Sequence, residues 1–235
     1  EIASCLVGSE MCIRDRNNPI NLDMREAGAM VHVTFGINIV VDTSSRHSGL
    51  FCGEFDKAWQ ASCSYVQKGY GLPIDYQADV VIASCGGFPK DLNFYQSTKT
   101  LFNASRAVKE GGTLIMLAEC PEGSGSKDFF DWIKPFSKGC LDEALRASFT
   151  IGGYIFYVAC ESIRRSKTLL LSSMEPELVR DMGVRSFKDM KDLLAEVDFN
   201  GKDVYVIPYG GSVLPQTKEA YERICREAEE NGGAK

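Results

Sequence analysis

Histidine is the scarcest chemistry in this chain: His32 and His47 are the only two among 235 residues. A histidine metal centre or a Ser/Cys triad therefore has little to draw on, and no Gly-x-Ser-x-Gly elbow is present. His32 precedes a strand-like run and His47 lies in a polar turn, which suits surface roles for both. Proline is sparse at 8 residues and no repeat or low-complexity tract occurs, which excludes collagen-like and disordered chains. No apolar run approaches the length of about 18 residues that a bilayer-spanning helix needs. Basic residues number 26 against 32 acidic ones, for a net charge of -6, and the longest basic cluster is the short Arg164-Arg165-Ser166-Lys167. That balance argues against a nucleic-acid groove or a polybasic membrane anchor. Neither Gly-x-Gly-x-x-Gly nor Gly-x-x-x-x-Gly-Lys-[Ser/Thr] occurs. The nine cysteines, at 5, 12, 52, 63, 85, 120, 140, 160 and 225, form no Cys-x-x-Cys pair. Reduced, mostly buried thiols of a cytoplasmic protein are expected, not a disulfide framework or a zinc site.

What is present is the composition of a soluble globular protein, 44% hydrophobic and 25% charged. The length suits one large domain or one and a half smaller ones. The string from Cys5 to Arg16 resembles a translated sequencing-adapter read, so residues 1–16 are expected to be non-native and the natural sequence to begin near Asn17. From Asn18 to Met30 the pattern suggests a turn and a short helix. Phe35, Ile37 and Ile39 then alternate against Thr34, Gly36 and Asn38, the period of a half-buried strand. A return strand over 49–53 and a helix over 56–69 follow.

After Gly69-Tyr-Gly-Leu-Pro73 the style changes, and a domain boundary is expected near residues 70–76. Continuous apolar runs at 79–85, 113–118, 168–172 and 203–208 alternate with amphipathic stretches near 94–109, 127–147, 153–165, 176–195 (broken at Gly183) and 216–230. Strands apolar on both faces with helices between them predict an open, mostly parallel α/β sheet with flanking helices. Ligands of such sheets bind beyond the carboxyl ends of strands. That rule points to the loops after Cys85, Ala118, Ser172 and Pro208, two of which carry the glycine pairs Gly86-Gly87 and Gly210-Gly211. The loop Glu122-Gly-Ser-Gly-Ser-Lys127 is open to two readings, a flexible active-site loop or a solvated connection.

One segment concentrates chemistry. Between Gly86 and Lys99, Pro89 and a cap at Asp91 or Asn93 set up a helix start, with Gln96 and Lys99 three apart on one face. Free helix-start amides, an amide side chain and an ammonium would converge on a volume suited to a carboxylate or phosphate. A solvated lysine on an amphipathic helix is the competing reading.

The run Ala78 to Lys99, with its Gly-Gly-x-Pro-Lys-Asp-x-Asn-x-Tyr-Gln-x-x-Lys core, resembles the lactate racemase (LarA) family of nickel-dependent 2-hydroxyacid racemases and epimerases. Gly111-Gly112-Thr113, Ala118-Glu119-Cys120-Pro121-Glu122-Gly123 and Pro208-Tyr209-Gly210-Gly211-Ser212 agree with it, as does Asn18-Pro19-Ile20. The resemblance implies a two-domain enzyme with a nickel-pincer nucleotide between its domains. Residues 17–73 would be the end of the α/β N-terminal (cofactor) domain and 74–235 the substrate-side α/β domain. It further implies that Gln96 and Lys99 face the carboxylate of a small 2-hydroxyacid, with Tyr95 beside them, while hydride leaves the α-carbon for the cofactor and returns to either face. Two departures accompany it. His32 and His47 match no catalytic histidine of the family, and no tethering lysine can be assigned. Tyr154-Ile155 follows Gly152-Gly153 where the family often has a His-Lys pair. No catalytic residue or nickel ligand is therefore expected here, cofactor-binding residues are left unassigned, and the chain is read as a fragment, inactive alone, that lacks its N-terminal domain. The rival reading is a non-catalytic α/β module that binds a small anion.

Overall fold

The computed structural model describes residues 19–42, 46–125 and 128–232. The adapter-like string, with Cys5 and Cys12, lies outside them, as does Lys127. In chain order the first elements are α1 (Pro19–Ala29), β1 (Gly36–Val41), β2 (His47–Gly53), α2 (Phe55–Tyr70) and β3 (Gly71–Ile74). Next come β4 (Ala78–Ser84), α3 (Phe94–Ala104), β5 (Val108–Leu117), α4 (Ile133–Ser137), α5 (Leu141–Ala147) and α6 (Ile151–Arg164). The rest are β6 (Lys167–Leu171), α7 (Glu177–Arg180), β7 (Arg185–Phe187), α8 (Met190–Leu194), β8 (Val204–Ile207), β9 (Leu214–Thr217) and α9 (Lys218–Gly232).

Two compact units result, one from residues 1–75 and 212–235, the other from Tyr76 to Gly211. The last residues cluster with the first unit and not with the stretch from Tyr76 to Gly211 that precedes them. The cause is long-range pairing: β9 runs parallel to β3, and Gln67 donates to Gln216 at 2.6 Å in a buried contact.

In the first unit β1 and β2 form an antiparallel hairpin, with Ile39 opposite Leu50. Glu54 starts α2 by accepting from the amides of Asp56 and Lys57 at 3.1 and 2.9 Å. Tyr65 of α2 donates to the Ser48 carbonyl at 2.6 Å, and its ring lies 5.4 Å from that of Phe51. The strand period is as expected but its buried face is reversed. Gly36 and Val40 are buried, whereas Phe35, Ile37 and Ile39 are more than half exposed. The helix that covers the hairpin lies on the Gly36 side, with the Phe55 backbone 3.2 Å from where a Gly36 side chain would begin.

The second unit holds a five-stranded, wholly parallel sheet in the order β7-β6-β5-β4-β8. Its core includes Val80, Ile115, Leu169 and Leu193, which explains the continuous apolar runs: these strands are covered on both faces. The expected open parallel α/β sheet is thus present. Three local differences have local causes. β5 starts at Val108, ahead of the glycine pair, with Gly111 at φ 73 inside the strand. The stretch 127–147 is broken into a 3-10 turn at Phe130–Trp132, α4 and α5, with Gly139 at φ 71 between the last two. Between 176 and 195 lies an extra edge strand, β7, whose three residues are too short to show a period.

Candidate functional site

From β4 the chain steps through β5 and β6 to β7, then returns to place β8 on the other side of β4. The direction reverses between β4 and β8, and their carboxyl ends flank the crevice where such sheets take ligands. The two glycine pairs meet there. Gly86 has φ 85, and a side chain on it would begin 2.8 Å from Cδ1 of Tyr209. Gly210 lies as tightly on Thr100, 2.6 Å from Cγ2, and its carbonyl accepts from buried Asn103 at 2.9 Å. Gly211 sits 4.0 Å from the Lys99 Cβ by the same measure. Glycine is required at both loops because backbone, not side chain, must pack on a ring and a helix.

Asn93 is the cap of α3, accepting from the Gln96 amide at 2.9 Å through its side chain and from Ser97 through its carbonyl at 3.1 Å. Phe94 and Leu101 fix the buried face of α3 at 1% and 0% exposure. Gln96 and Lys99 share the opposite, half-buried face, and Tyr95 sets its ring edge-on to Phe129 at 5.8 Å. Neither the Gln96 carboxamide nor the Lys99 ammonium is engaged by any described residue. Both are available to a ligand.

The expectation of free helix-start amides is overturned. Phe94 donates to the Gly123 carbonyl at 2.8 Å, Tyr95 to that of Ser124 at 3.2 Å, and Gln96 to its cap. The described part of the glycine-serine loop is therefore a plug on the N-terminus of α3, and Gly125, at φ 80, lies against the Asn93 side chain. The first amides of α3 are therefore not free for an anion.

The loops after β4, β5 and β6 are laced beneath the site. The Asp91 carbonyl accepts from Cys120 at 2.8 Å, and the Glu119 carbonyl accepts the hydroxyls of Ser172 and Ser173 at 2.9 and 2.8 Å. Burial pushes the Cys85 thiol up from 9.0 to about 11, although Thr100 and Ser97 hydrogen bonds pull the other way. Burial likewise pushes Cys160 from 9.0 to about 12. Both folded values are raised, so the stability held by the protonated thiols is intact below pH 9 and lost as pH climbs towards 11 or 12. Chemical denaturation should show Cys160→Ala losing less stability than the parent chain between pH 8 and pH 11. Equal losses would remove the thiol from that account.

Tyr154 and Ile155 have structural occupations. Ile155 is 2% exposed in the core, and Tyr154, its hydroxyl pushed up by burial, lies 6.2 Å from the Phe149 ring. The glycines before them give room to neighbours: the Asp128 carboxylate lies against Gly152 and the Trp132 ring against Gly153. His32 and His47 are exposed. Sequence reasoning passed over Tyr209, Lys90 and Asn103. Lys90 sits 5.9 Å from the Tyr209 ring centroid, a contact across the crevice that no local pattern encodes. Asn103 did leave a signal, since 96, 99, 100 and 103 recur at helical spacing.

Residues 74–214 match the model of a family described as the lactate racemase C-terminal domain. The chain belongs to the lactate racemase family. A curated lactate racemase from Thermoanaerobacterium thermosaccharolyticum is 32% identical over 216 residues, covering 86% of this chain and 49% of that protein. One from Lactiplantibacillus plantarum is 27% identical over 207 residues, covering 84% and 49%. The chain thus spans about half the length of the curated lactate racemases it matches. The lactate racemase apoprotein structure from T. thermosaccharolyticum superposes with a TM-score of 0.79 at 28% identity, covering 92% of this chain and 55% of that one. A crystallised protein from Thermotoga maritima, at TM-score 0.61 and 15% identity over 85% of this chain, shares the fold. The resemblance of the Ala78 to Lys99 run to lactate racemases is therefore confirmed at the level of the family.

The lactate racemase resemblance brings with it a nickel-pincer nucleotide, and the donor set decides whether this chain fits one. Among the described residues no three His, Cys, Asp or Glu side chains gather into a group that could hold a metal ion. The described residues thus offer no set of protein donors for a bare metal ion.

Proposed function

We propose that the parent protein interconverts the stereoisomers of a small 2-hydroxyacid and that this chain is a fragment of it, supplying the side of the site that holds the substrate carboxylate. The observation that carries this reading is the pair of unengaged, half-buried polar side chains, Gln96 and Lys99, at the β4/β8 crevice of a lactate racemase family member. Lys99 neutralises the carboxylate and Gln96 donates a hydrogen bond to it, while the ring of Tyr95 borders the same face. Orientation follows from rigidity: α3 is capped by Asn93, plugged by Gly123 and Ser124, and tied through Asn103 to Gly210. A carboxylate bound there would hold the α-carbon at a set distance from the helix, which is what a proton- or hydride-transfer site needs from its binding half.

The nickel-pincer nucleotide belongs, in this reading, to the N-terminal domain that accounts for the other half of the relatives' length. The setting is cytoplasmic and reducing, consistent with seven described cysteines that are all free. No described helix is long and apolar enough to cross a membrane. The test is chiral chromatography of short 2-hydroxyacids. The 235-residue chain should leave each enantiomer unchanged, and the complete parent, loaded with its cofactor, should bring at least one to a mixture. A loaded parent that alters none of them ends the racemase reading.

The same unengaged Gln96 and Lys99 would also serve the alternative, a non-catalytic module for a small anion. Calorimetry with lactate, malate and phosphate separates the two. Binding by the isolated chain that vanishes in Lys99→Ala, paired with an inert parent, would establish the module.

A further inference from the structure

We propose that Asn103 is a positioning residue for Lys99 and acts through the loop after β8: its bond to Gly210 holds that loop on α3, and the loop limits where the Lys99 ammonium can stand. The inference rests on the reading of Lys99 as the group that holds the substrate carboxylate.

Asn103 is 7% exposed and stands in a run with Leu101, Phe102 and Ala104, all at 3% or less. A carboxamide at such a place must be hydrogen-bonded to offset its desolvation, whereas an aliphatic side chain would fill the space without that cost. The Asn103 donor goes to the carbonyl of buried Gly210, 107 residues away in sequence, at 2.9 Å. The glycines show how the loop continues from there. A side chain on Gly210 would begin 2.6 Å from Cγ2 of Thr100, and one on Gly211 would begin 3.3 Å from Oγ1 of Thr100 and 4.0 Å from Cβ of Lys99. The loop therefore runs along one row of α3, from Asn103 past Thr100 to Lys99, a single helical turn.

The helix does not depend on this bond. Asn93 caps α3, Gly123 and Ser124 cover its start, and Phe94 and Leu101 anchor its buried face. The loop is the member that the Asn103 bond holds in place. Lysine carries its ammonium on a flexible stem, and a wall of backbone beside that stem removes the rotamers that would cross it. Releasing the loop restores them and loosens the placement of whatever the ammonium binds.

The experiment is a double-mutant cycle in the complete, cofactor-loaded parent. Asn103→Leu keeps the bulk and removes the donor. Asn103→Ser leaves room for a water to serve the Gly210 carbonyl, which keeps the fold if leucine is not accommodated. Each should lower kcat/KM by about ten- to a hundredfold, the scale of a misplaced reactant. In a Lys99→Ala background the same changes should cost less than about twofold, because the residue they act through is gone. In the 235-residue chain both should speed deuterium uptake by residues 208–211. Equal losses with and without Lys99 overturn the proposal, since Asn103 then supports the fold at large. So does unchanged deuterium uptake in the loop. A Lys99→Ala variant with normal kinetics is a separate failure: it removes the carboxylate reading, and this inference with it.

Discussion

Lys99→Ala in the complete enzyme is expected to lower kcat/KM by about ten- to more than a hundredfold, the equivalent of losing a charge-assisted hydrogen bond of about 1.5–3 kcal/mol. The Tm should move little. Lys99 is half-buried and makes no ion pair with a described residue, so its removal leaves no partner stranded inside the protein. Its Cβ packs near Gly211, and alanine retains that atom. Gln96→Ala should lower turnover as well but by less, because it removes a neutral donor and not a charge. A kinetic effect without a stability effect is the signature of a ligand-facing pair. Unchanged kinetics in both variants would remove Gln96 and Lys99 from the site.

Gly125→Ala is expected to cost about 1.5–4 kcal/mol, from backbone strain of about 1–2 kcal/mol and loss of a helix cap of about 0.5–2 kcal/mol. Gly125 has φ 80, which disfavours any residue with a side chain, and its added Cβ would overlap the Asn93 side chain. Asn93 is buried and holds the Gln96 amide, so to yield it must release the first turn of α3. At roughly 2–4 °C per kcal/mol the Tm should fall by about 3–16 °C. Gly87→Ala is the control. Its φ is 79 and nothing lies within 4 Å of the added atom, so it bears the backbone strain alone. Equal losses in the two variants would show that the contact with the cap contributes nothing.

The glycine-serine loop shows where local reasoning ends. Its composition suggested either a mobile flap or a solvated link, and neither reading contains the two carbonyls that Gly123 and Ser124 present to α3. Hydrogen bonds between segments some thirty residues apart in sequence leave no periodic trace. The expected anion-binding helix end was wrong for the same reason: a cap at Asn93 is legible, but the occupants of the remaining amides are not. The face of β1 was misjudged through a different cause. Period shows which residues share a side, and only the position of α2 decides which side it covers.

By itself the sequence determined the parallel α/β core, because strands covered on both faces must be continuously apolar, and determined the glycine pairs at their carboxyl ends. It determined the cap of α3, the shared face of Gln96 and Lys99, and the family, since each is written in spacings of a few residues. Only the tertiary structure decided that β3 pairs with β9, that Tyr209 lies on Gly86 and that α3 begins under a plug. These contacts join residues distant along the chain. Their partners are chosen by packing and by the need to satisfy buried backbone groups, not by any local preference.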